Sequence, residues 1–592
     1  MSVVDRLKRL QELLEKNGID IYVIPTADFH NSEYVHAYFK EREYMSGFTG
    51  SAGTLVVSRN HAGLWTDGRY FIQAENQLDG SGIELFRMGE EDTLSIEEFI
   101  IENLPTKGIL AADGRMITAY EGKKWQEICT NKQASFISDI QLVNDIWDNR
   151  PSFPMGKTFL LAEKWCGESK TSKLNRVREF MKNCNATGHL LSSLDDIAWL
   201  LNIRGSDIPC NPVVLSYVYI TMSEVHLFID ENKLTDEVTK GLAEVILHPY
   251  DEIYDYIEKV EGRVLYDLQK VNYALYQSIK TERVENDNPE VLMKAIKNSI
   301  EVNNLKQAHI YDGLAITKFI YWLKNSIGNE EITEVSAIEY LEKCREENSN
   351  YLGPSFSAIG AYNANAAMMH YNPRLAEKYT SLKPNGFYLI DSGGQYYEGT
   401  TDITRTICLG EVRDEWSKYY TLVLKGMIRL SMANFLQGCS GMQLDILARG
   451  ALWDLGIDYK SGTGHGVGYL LNVHEAPNGF RWKIVPERND SCILEQGMVT
   501  TVEPGVYIDG DVGIRIENEL VCQRTKKNEY GQFMNFETIT VCPIDLDVID
   551  VTLLETKEID FLNNYHAGVY ETLAPLLGDK EKEWLKKETR AI

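Results

Sequence analysis

Along the first part of the chain, apolar and polar positions alternate as short helices and strands. Residues 4–16 carry apolar side chains at helical spacing, and residues 19–24 follow as an apolar strand. Residues 52–57 and 62–66 are two further β-rich runs, and the polar Arg59-Asn60 between them predicts a hairpin. A helix is predicted from about residue 67 to residue 77. Pro151-Ser-Phe-Pro154 then interrupts the pattern. This predicts an α/β domain over residues 1–154.

The same order returns over residues 155–296. A helix near 173–182, the apolar run Gly188-His-Leu-Leu, and strands over 213–222 and 225–229 predict a second α/β module of similar size. A diverged copy of the first is expected, although no residue-level repeat is visible. From residue 297 to 592 the grammar changes. Long helices over 299–325 and 334–346 precede a β-rich stretch, and two more over 414–437 and 441–455 precede a second one over 462–542. Helices and strands segregated in this way predict an α+β domain with an antiparallel sheet under helices. A mostly helical tail covers residues 546–592.

Composition narrows the classes. At 592 residues the chain needs three or four domains of about 150 residues. A net charge of −27 argues against nucleic acid and anionic membrane as partners, which both need clustered Lys and Arg. Ten scattered cysteines without a Cys-x-x-Cys pair fit neither a zinc framework nor a disulfide scaffold. The first residues are amphipathic rather than signal-like, and no apolar run is long enough to span a bilayer. A cytoplasmic protein with reduced thiols is expected.

The candidate chemistry centres on Phe387-Tyr-Leu-Ile-Asp391-Ser-Gly-Gly, followed by Thr-Thr-Asp402-Ile-Thr-Arg-Thr. Asp391 ends an apolar strand, and a hairpin or meander would fold Asp402 back toward it. Carboxylates are rarely buried unless paired or bound to metal, and two together repel without a cation. A turn cap at a strand end explains Asp391 equally well. Gly462-Thr-Gly-His465-Gly-Val-Gly boxes a histidine with glycines, although a lone histidine is more often a core residue. Asn472-Val-His474-Glu supplies a second histidine, and Val499-Thr-Thr-Val-Glu503-Pro-Gly another acid at a strand end. In Gly513-Ile-Arg515-Ile-Glu517-Asn-Glu519, alternation puts Arg515, Glu517 and Glu519 on one strand face. Taken alone, that segment is better explained as a solvated face. Together, four carboxylates and one imidazole match a two-metal hydrolytic site. Oxygen-rich ligation favours Mn or Mg, with Zn, Co or Fe compatible with the imidazole.

The order Asp391, Asp402, His465, Glu503, Glu517 resembles the pita-bread metallopeptidases, and the surrounding motifs most resemble the aminopeptidase P (Xaa-Pro aminopeptidase) branch in its long, three-domain cytosolic form. Gly47-Phe-Thr-Gly-Ser-Ala-Gly, Trp65-Thr-Asp-Gly-Arg-Tyr-Phe, Asp196-Ile-Ala-Trp-Leu-Leu-Asn-Ile-Arg-Gly-Ser-Asp and Asn563-Asn-Tyr-His extend the resemblance over nearly the whole chain. It implies two creatinase-like α/β domains (1–154 and 155–296) before a pita-bread catalytic domain (297–592). It implies two divalent ions, Mn2+ first and Zn2+ or Co2+ as alternatives, held by Asp391, Asp402, His465, Glu503 and Glu517, with Asp402 and Glu517 bridging. It further implies Glu503 as general base and His370, in Ala-Met-Met-His370-Tyr-Asn-Pro, at the scissile bond as a proton shuttle. By the same resemblance, His474 is implied to stabilise the tetrahedral intermediate, and Arg515 to lie beside the ligands and the substrate. The implied substrate is a peptide with proline second, cleaved after its first residue, and the implied assembly is a homodimer. Two positions depart from the pattern: Ser461 stands where relatives usually have histidine, and Ala476 where they have glycine. Prolidase, with one N-terminal domain, and a metal-free peptide-binding module of the same fold are the competing expectations.

Overall fold

A computed structural model describes residues 1–376, 379–485 and 488–592. The N-terminal amphipathic segment forms α1 (Val3–Asn17), which buries Leu7, Leu10 and Leu14. Ser2 caps it by accepting the Asp5 N–H at 3.1 Å, and Gly18 ends it at φ 69°. No helix among the described residues is long and apolar enough to cross a membrane.

Two units divide the chain: residues 1–162 with 168–291, and residues 163–167 with 292–592. The first unit holds two six-stranded sheets. One contains β1 (Ile21–Pro25), β2 (Thr54–Ser58), β3 (Ala62–Thr66), β4 (Glu84–Arg87), β5 (Ile109–Ala112) and β6 (Ser135–Ile137), in the order β4-β3-β2-β1-β5-β6. The other contains β7 (Gly188–Leu191), β8 (Tyr217–Thr221), β9 (Val225–Phe228), β10 (Ile246–His248), β11 (Arg263–Tyr266) and β12 (Glu282–Glu285), in the order β10-β9-β8-β7-β11-β12. Strand sense matches position by position. In each sheet the central strand pairs antiparallel with the near strand of a hairpin on one side and parallel with one strand on the other, which in turn pairs parallel with the edge strand. The second module therefore repeats the topology of the first. The β2–β3 hairpin matches its expectation, while the strand expected over 213–222 is confined to Tyr217–Thr221.

The second unit places α2 (Ser299–Ser326) and α3 (Glu334–Glu346) over an antiparallel sheet of β13 (Ile359–Tyr362), β14 (Phe387–Ser392) and β15 (Ile403–Cys408). Phe319 and Leu323 of α2 and Ile338 and Leu341 of α3 share a core with Tyr388, Ile390 and Ile407. A third helix, α4 (Asp414–Ser431), covers a larger antiparallel sheet. That sheet runs β16 (Asn434–Leu436), β23 (Gly531–Thr538), β22 (Asn518–Asn528), β19 (Val499–Val502), β17 (Gly464–Gly466), β18 (Glu475–Phe480), and the pair β20 (Gly505–Ile508) and β21 (Val512–Arg515) adjoins it in sequence. The helix expected over 414–437 stops at Ser431 because Phe435 turns into the sheet, packing against Phe536 with ring centroids 5.1 Å apart. The helix expected over 441–455 forms in two pieces, Gly441–Leu444 and Ile446–Trp453. The solvated face expected for Arg515, Glu517 and Glu519 is not observed: all three are buried, as are Ile514 and Ile516 on the opposite side. Both faces of this stretch are covered, so alternation did not separate core from solvent.

Arg405 of β15 fastens the two sheets. Its buried guanidinium donates to the carbonyls of Glu517 (2.6 Å), Cys542 (2.9 Å) and Pro543 (3.0 Å), to Asn518 Oδ1 (2.9 Å) and to the Tyr565 hydroxyl (3.0 Å). A lysine lacks the fork to meet these acceptors. Arg405→Lys is expected to lower unfolding stability by about 3–5 kcal/mol, the scale of breaking a buried charge network. Guanidinium denaturation followed by tryptophan fluorescence checks this, and a midpoint equal to wild type would contradict it.

Candidate metal centre

Each candidate ligand stands at a strand end or where two strands meet. Asp391 is near the end of β14, opposite Thr404 of β15, and Asp402 immediately precedes β15. His465 is the middle residue of β17, Glu503 directly follows β19, and Glu517 lies between β21 and β22. Small residues permit the approach of these strands: a Cβ at Gly464 would meet the Thr501 carbonyl oxygen at 1.9 Å.

Ligand atoms of Asp402, His465 and Glu517 all lie within 4.8 Å of one another. His465 Nε2 is 3.4 Å from Asp402 Oδ2 and 3.5 Å from Glu503 Oε1, and its Nδ1 is 2.9 Å from the Gly466 carbonyl oxygen. That last contact suits an Nδ1–H donor and leaves Nε2 as the nitrogen facing the acids. Thr404 Oγ1 donates to Glu517 Oε2 at 2.6 Å, and Thr501 Oγ1 donates to Glu503 Oε1 at 3.3 Å. Asp391 Oδ2 accepts from Arg515 Nη2 at 2.5 Å.

Two features fit a cation at this point. Asp391 and Asp402 each keep a buried oxygen, Oδ1, without a hydrogen-bond partner among the described residues. Burial, then the nearby Asp391 and Glu503, pushes the Asp402 carboxyl well above its usual range. Burial, then Asp402 and Glu503, does the same to Glu517. Oxygens left over in a set of mutually repelling acids are what divalent cations satisfy. The donors, four carboxylates and one imidazole, suit a pair of hard or borderline divalent ions.

Around this set, His474 meets the His465 ring edge-on at 4.3 Å between centroids. The neighbouring Glu475 is gripped by Lys297 and, at 3.3 Å, by Lys294. His370 follows Met369, whose carbonyl oxygen is 3.5 Å from Arg515 Nη2. The segment before it lies tightly on β21, since a Cβ at Gly513 would meet the Ala366 carbonyl oxygen at 1.9 Å. Arg515 is buried and spends its guanidinium on protein groups: Asp391, the Tyr507 hydroxyl at 2.6 Å and Thr404 Oγ1 at 3.2 Å. Burial alone would lower its pKa, and Tyr507, Asp391 and Glu503 together reverse this and raise it. Ser461 is half-buried, and its carbonyl accepts from Arg449 Nη2 at 3.0 Å.

Sequence reasoning passed over Thr404 and Tyr507, whose hydroxyls fix Glu517 and Arg515, and gave Glu519 no role at the site. Glu519 accepts the Asp402 N–H on Oε1 at 2.7 Å. The only signal for it was its place in the alternation after Glu517.

Comparison with known proteins agrees with this arrangement. Residues 303–524 match metallopeptidase family M24 and residues 532–592 the C-terminal region of that family. Residues 6–145 and 149–301 each match a creatinase/prolidase N-terminal domain. A probable Xaa-Pro aminopeptidase P of Tuber melanosporum is 38% identical over the full length of both chains. The crystal structure of an X-prolyl aminopeptidase from Caenorhabditis elegans, described as a cytosolic enzyme with a di-nuclear active site, superposes with a TM-score of 0.95 at 32% identity, covering both chains completely. A Xaa-Pro dipeptidase from Bacillus anthracis shares the fold over 64% of this chain and 99% of its own, with a TM-score of 0.51 at 23% identity. With full-length identity to such relatives and matching domains along its whole length, the chain belongs to metallopeptidase family M24, with two creatinase/prolidase N-terminal domains ahead of a pita-bread domain.

Proposed function

We propose that this protein is a metal-dependent aminopeptidase that hydrolyses the N-terminal Xaa-Pro bond of peptides. The observation that carries the reading is the convergence of Asp402, His465 and Glu517, with orphaned buried oxygens on Asp391 and Asp402. Asp402, His465, Glu503 and Glu517 would hold one divalent cation, and Asp391, Asp402 and Glu517 the other. Mn2+ suits the oxygen-rich set best, with Zn2+ or Co2+ as alternatives. Divalent cations bound here supply Lewis acidity, acidifying water and polarising a carbonyl.

The remaining work falls to the chain's own side chains. Glu503 is the more accessible acid, its side chain 21% exposed against 6% for Asp402 and 11% for Asp391, and it accepts the proton of the attacking water. His474, beside His465, offers an N–H to the oxyanion as the carbonyl becomes tetrahedral. Proline nitrogen carries no hydrogen in the peptide, so the leaving imino group must be given one. His370 is the proposed donor. Arg515 is a positioning residue, holding Asp391 and, through the Met369 carbonyl, the turn that carries His370.

Preference for longer peptides over dipeptides is supported by the presence of two N-terminal modules, and by a matched dipeptidase that covers only 64% of this chain. A cytosolic location is supported by ten free cysteines and by the description of the worm enzyme. Homodimerisation is supported by an apolar surface on the second unit. There Trp453 and Trp482 meet edge-to-face at 5.9 Å, and Met442, Ile446 and Ile493 are exposed.

Incubated with Mn2+, the protein is expected to release Arg from Arg-Pro-Pro and to leave Gly-Pro intact; cleavage of the dipeptide would make it a prolidase instead. His370→Ala and His474→Ala are each expected to lose about 10²–10⁴-fold in kcat with metal content, read by elemental analysis, unchanged. Loss of metal from either variant would move that histidine into the ligand set. The double variant Trp453→Glu, Trp482→Glu should elute as a monomer in light-scattering chromatography where wild type elutes as a dimer; equal masses would rule out this interface.

A further inference from the structure

Beneath the ligand cluster is a further buried carboxylate, Glu519, which is not among the proposed ligands. It is fully buried on β22, opposite Thr501 of β19. Its backbone N–H donates to Thr540 Oγ1 at 2.8 Å, and its Oε1 accepts the Asp402 N–H at 2.7 Å. Its other oxygen, Oε2, is 3.1 Å from Nε2 of His309, a fully buried residue on α2. No hydrogen-bond partner among the described residues meets either ring nitrogen of His309 in good geometry, so Glu519 is the charged group that imidazole faces. One turn further along α2, Asp312 accepts from Thr401 Oγ1 at 3.0 Å. Asp312 is itself held by Arg345 Nε at 2.6 Å and by the Tyr396 hydroxyl at 2.9 Å. Thus α2 supports Thr401 directly and Asp402 through Glu519.

A buried carboxylate is costly, and this one occupies a site already crowded with acids. Geometry supplies the reason. An acidic acceptor on the Asp402 N–H fixes the backbone from which a bridging carboxylate projects, as outer-shell partners of metal ligands do.

We infer that Glu519, backed by His309, is a positioning residue for the metal centre: it holds Asp402 in ligating geometry. The inference rests on the proposed assignment of Asp402 as a bridging ligand.

The test titrates chelator-stripped full-length protein with Mn2+ by calorimetry and measures kcat and KM on Arg-Pro-Pro. Glu519→Leu is expected to weaken at least one Mn2+ equivalent by about 10–100-fold and to lower kcat by a similar factor, with KM unchanged. Glu519→Gln keeps a carbonyl oxygen for the Asp402 N–H and should recover most of the affinity, which a purely packing role would not predict. His309→Leu removes the backing from α2 without touching the sheet, and should weaken Mn2+ in the same direction by a smaller factor. This second variant decides the matter if Glu519→Leu does not fold. Wild-type Mn2+ affinity and kcat in Glu519→Leu, or in His309→Leu when the former is unfolded, would overturn the inference. Asp402→Asn separates the two claims. If it loses Mn2+ while Glu519→Leu does not, only the positioning role fails; if it too binds normally, the ligand assignment fails and the inference with it.

Discussion

Mutual repulsion among buried carboxylates is the constraint around which the second unit is built. Asp391, Asp402 and Glu517 are taken out of water and set against one another and against Glu503, an arrangement that opposes folding until positive charge is added. Among the described residues, the cation paired with one of these acids is Arg515, already committed to Asp391. Two divalent cations would resolve the excess. The surrounding polar scaffold of Thr404, Thr501, Tyr507, Arg405 and Glu519 then reads as the apparatus that keeps the acids apart by a fixed distance and aims them at one place.

Segregating the candidate ligands onto different strands gives that precision. A strand end has a backbone fixed by its ladder while its last side chain is free to leave the sheet. Asp391 and Asp402 come from the smaller sheet, His465 and Glu503 from the larger, and Glu517 from the point where the chain passes between β21 and β22. Arg405, bonded to the Glu517 carbonyl from β15, ties those pieces together. His465 stands among these acids, and His474 meets its ring edge-on from outside the set.

The candidate ligand set could be named from the sequence because its acids sit at or beside apolar strands and His465 sits among glycines, and those local signals survive without knowledge of the fold. What was not legible depended on contacts distant in sequence. Arg515, Glu517 and Glu519 alternate with isoleucines as a solvated strand would, yet residues 100 or more positions away cover that face, among them Thr404, Asp391 and His309. Residues 432–437 have helical periodicity, but pairing with β23 captures them as a strand. The twofold occurrence of one sheet topology was visible only as a recurring order of elements. A twisted six-stranded sheet requires apolar strands in the right sequence of senses and tolerates many side chains, so its topology outlasts residue identity.

Metal stoichiometry tests the central claim most directly. Chelator-stripped protein, reloaded with Mn2+, freed of excess and examined by anomalous diffraction at the manganese edge, should show two peaks per chain between Asp391, Asp402, His465, Glu503 and Glu517, with Arg-Pro-Pro hydrolysis restored in step with loading. Absence of metal at these side chains, together with hydrolysis that survives chelation, would contradict the account.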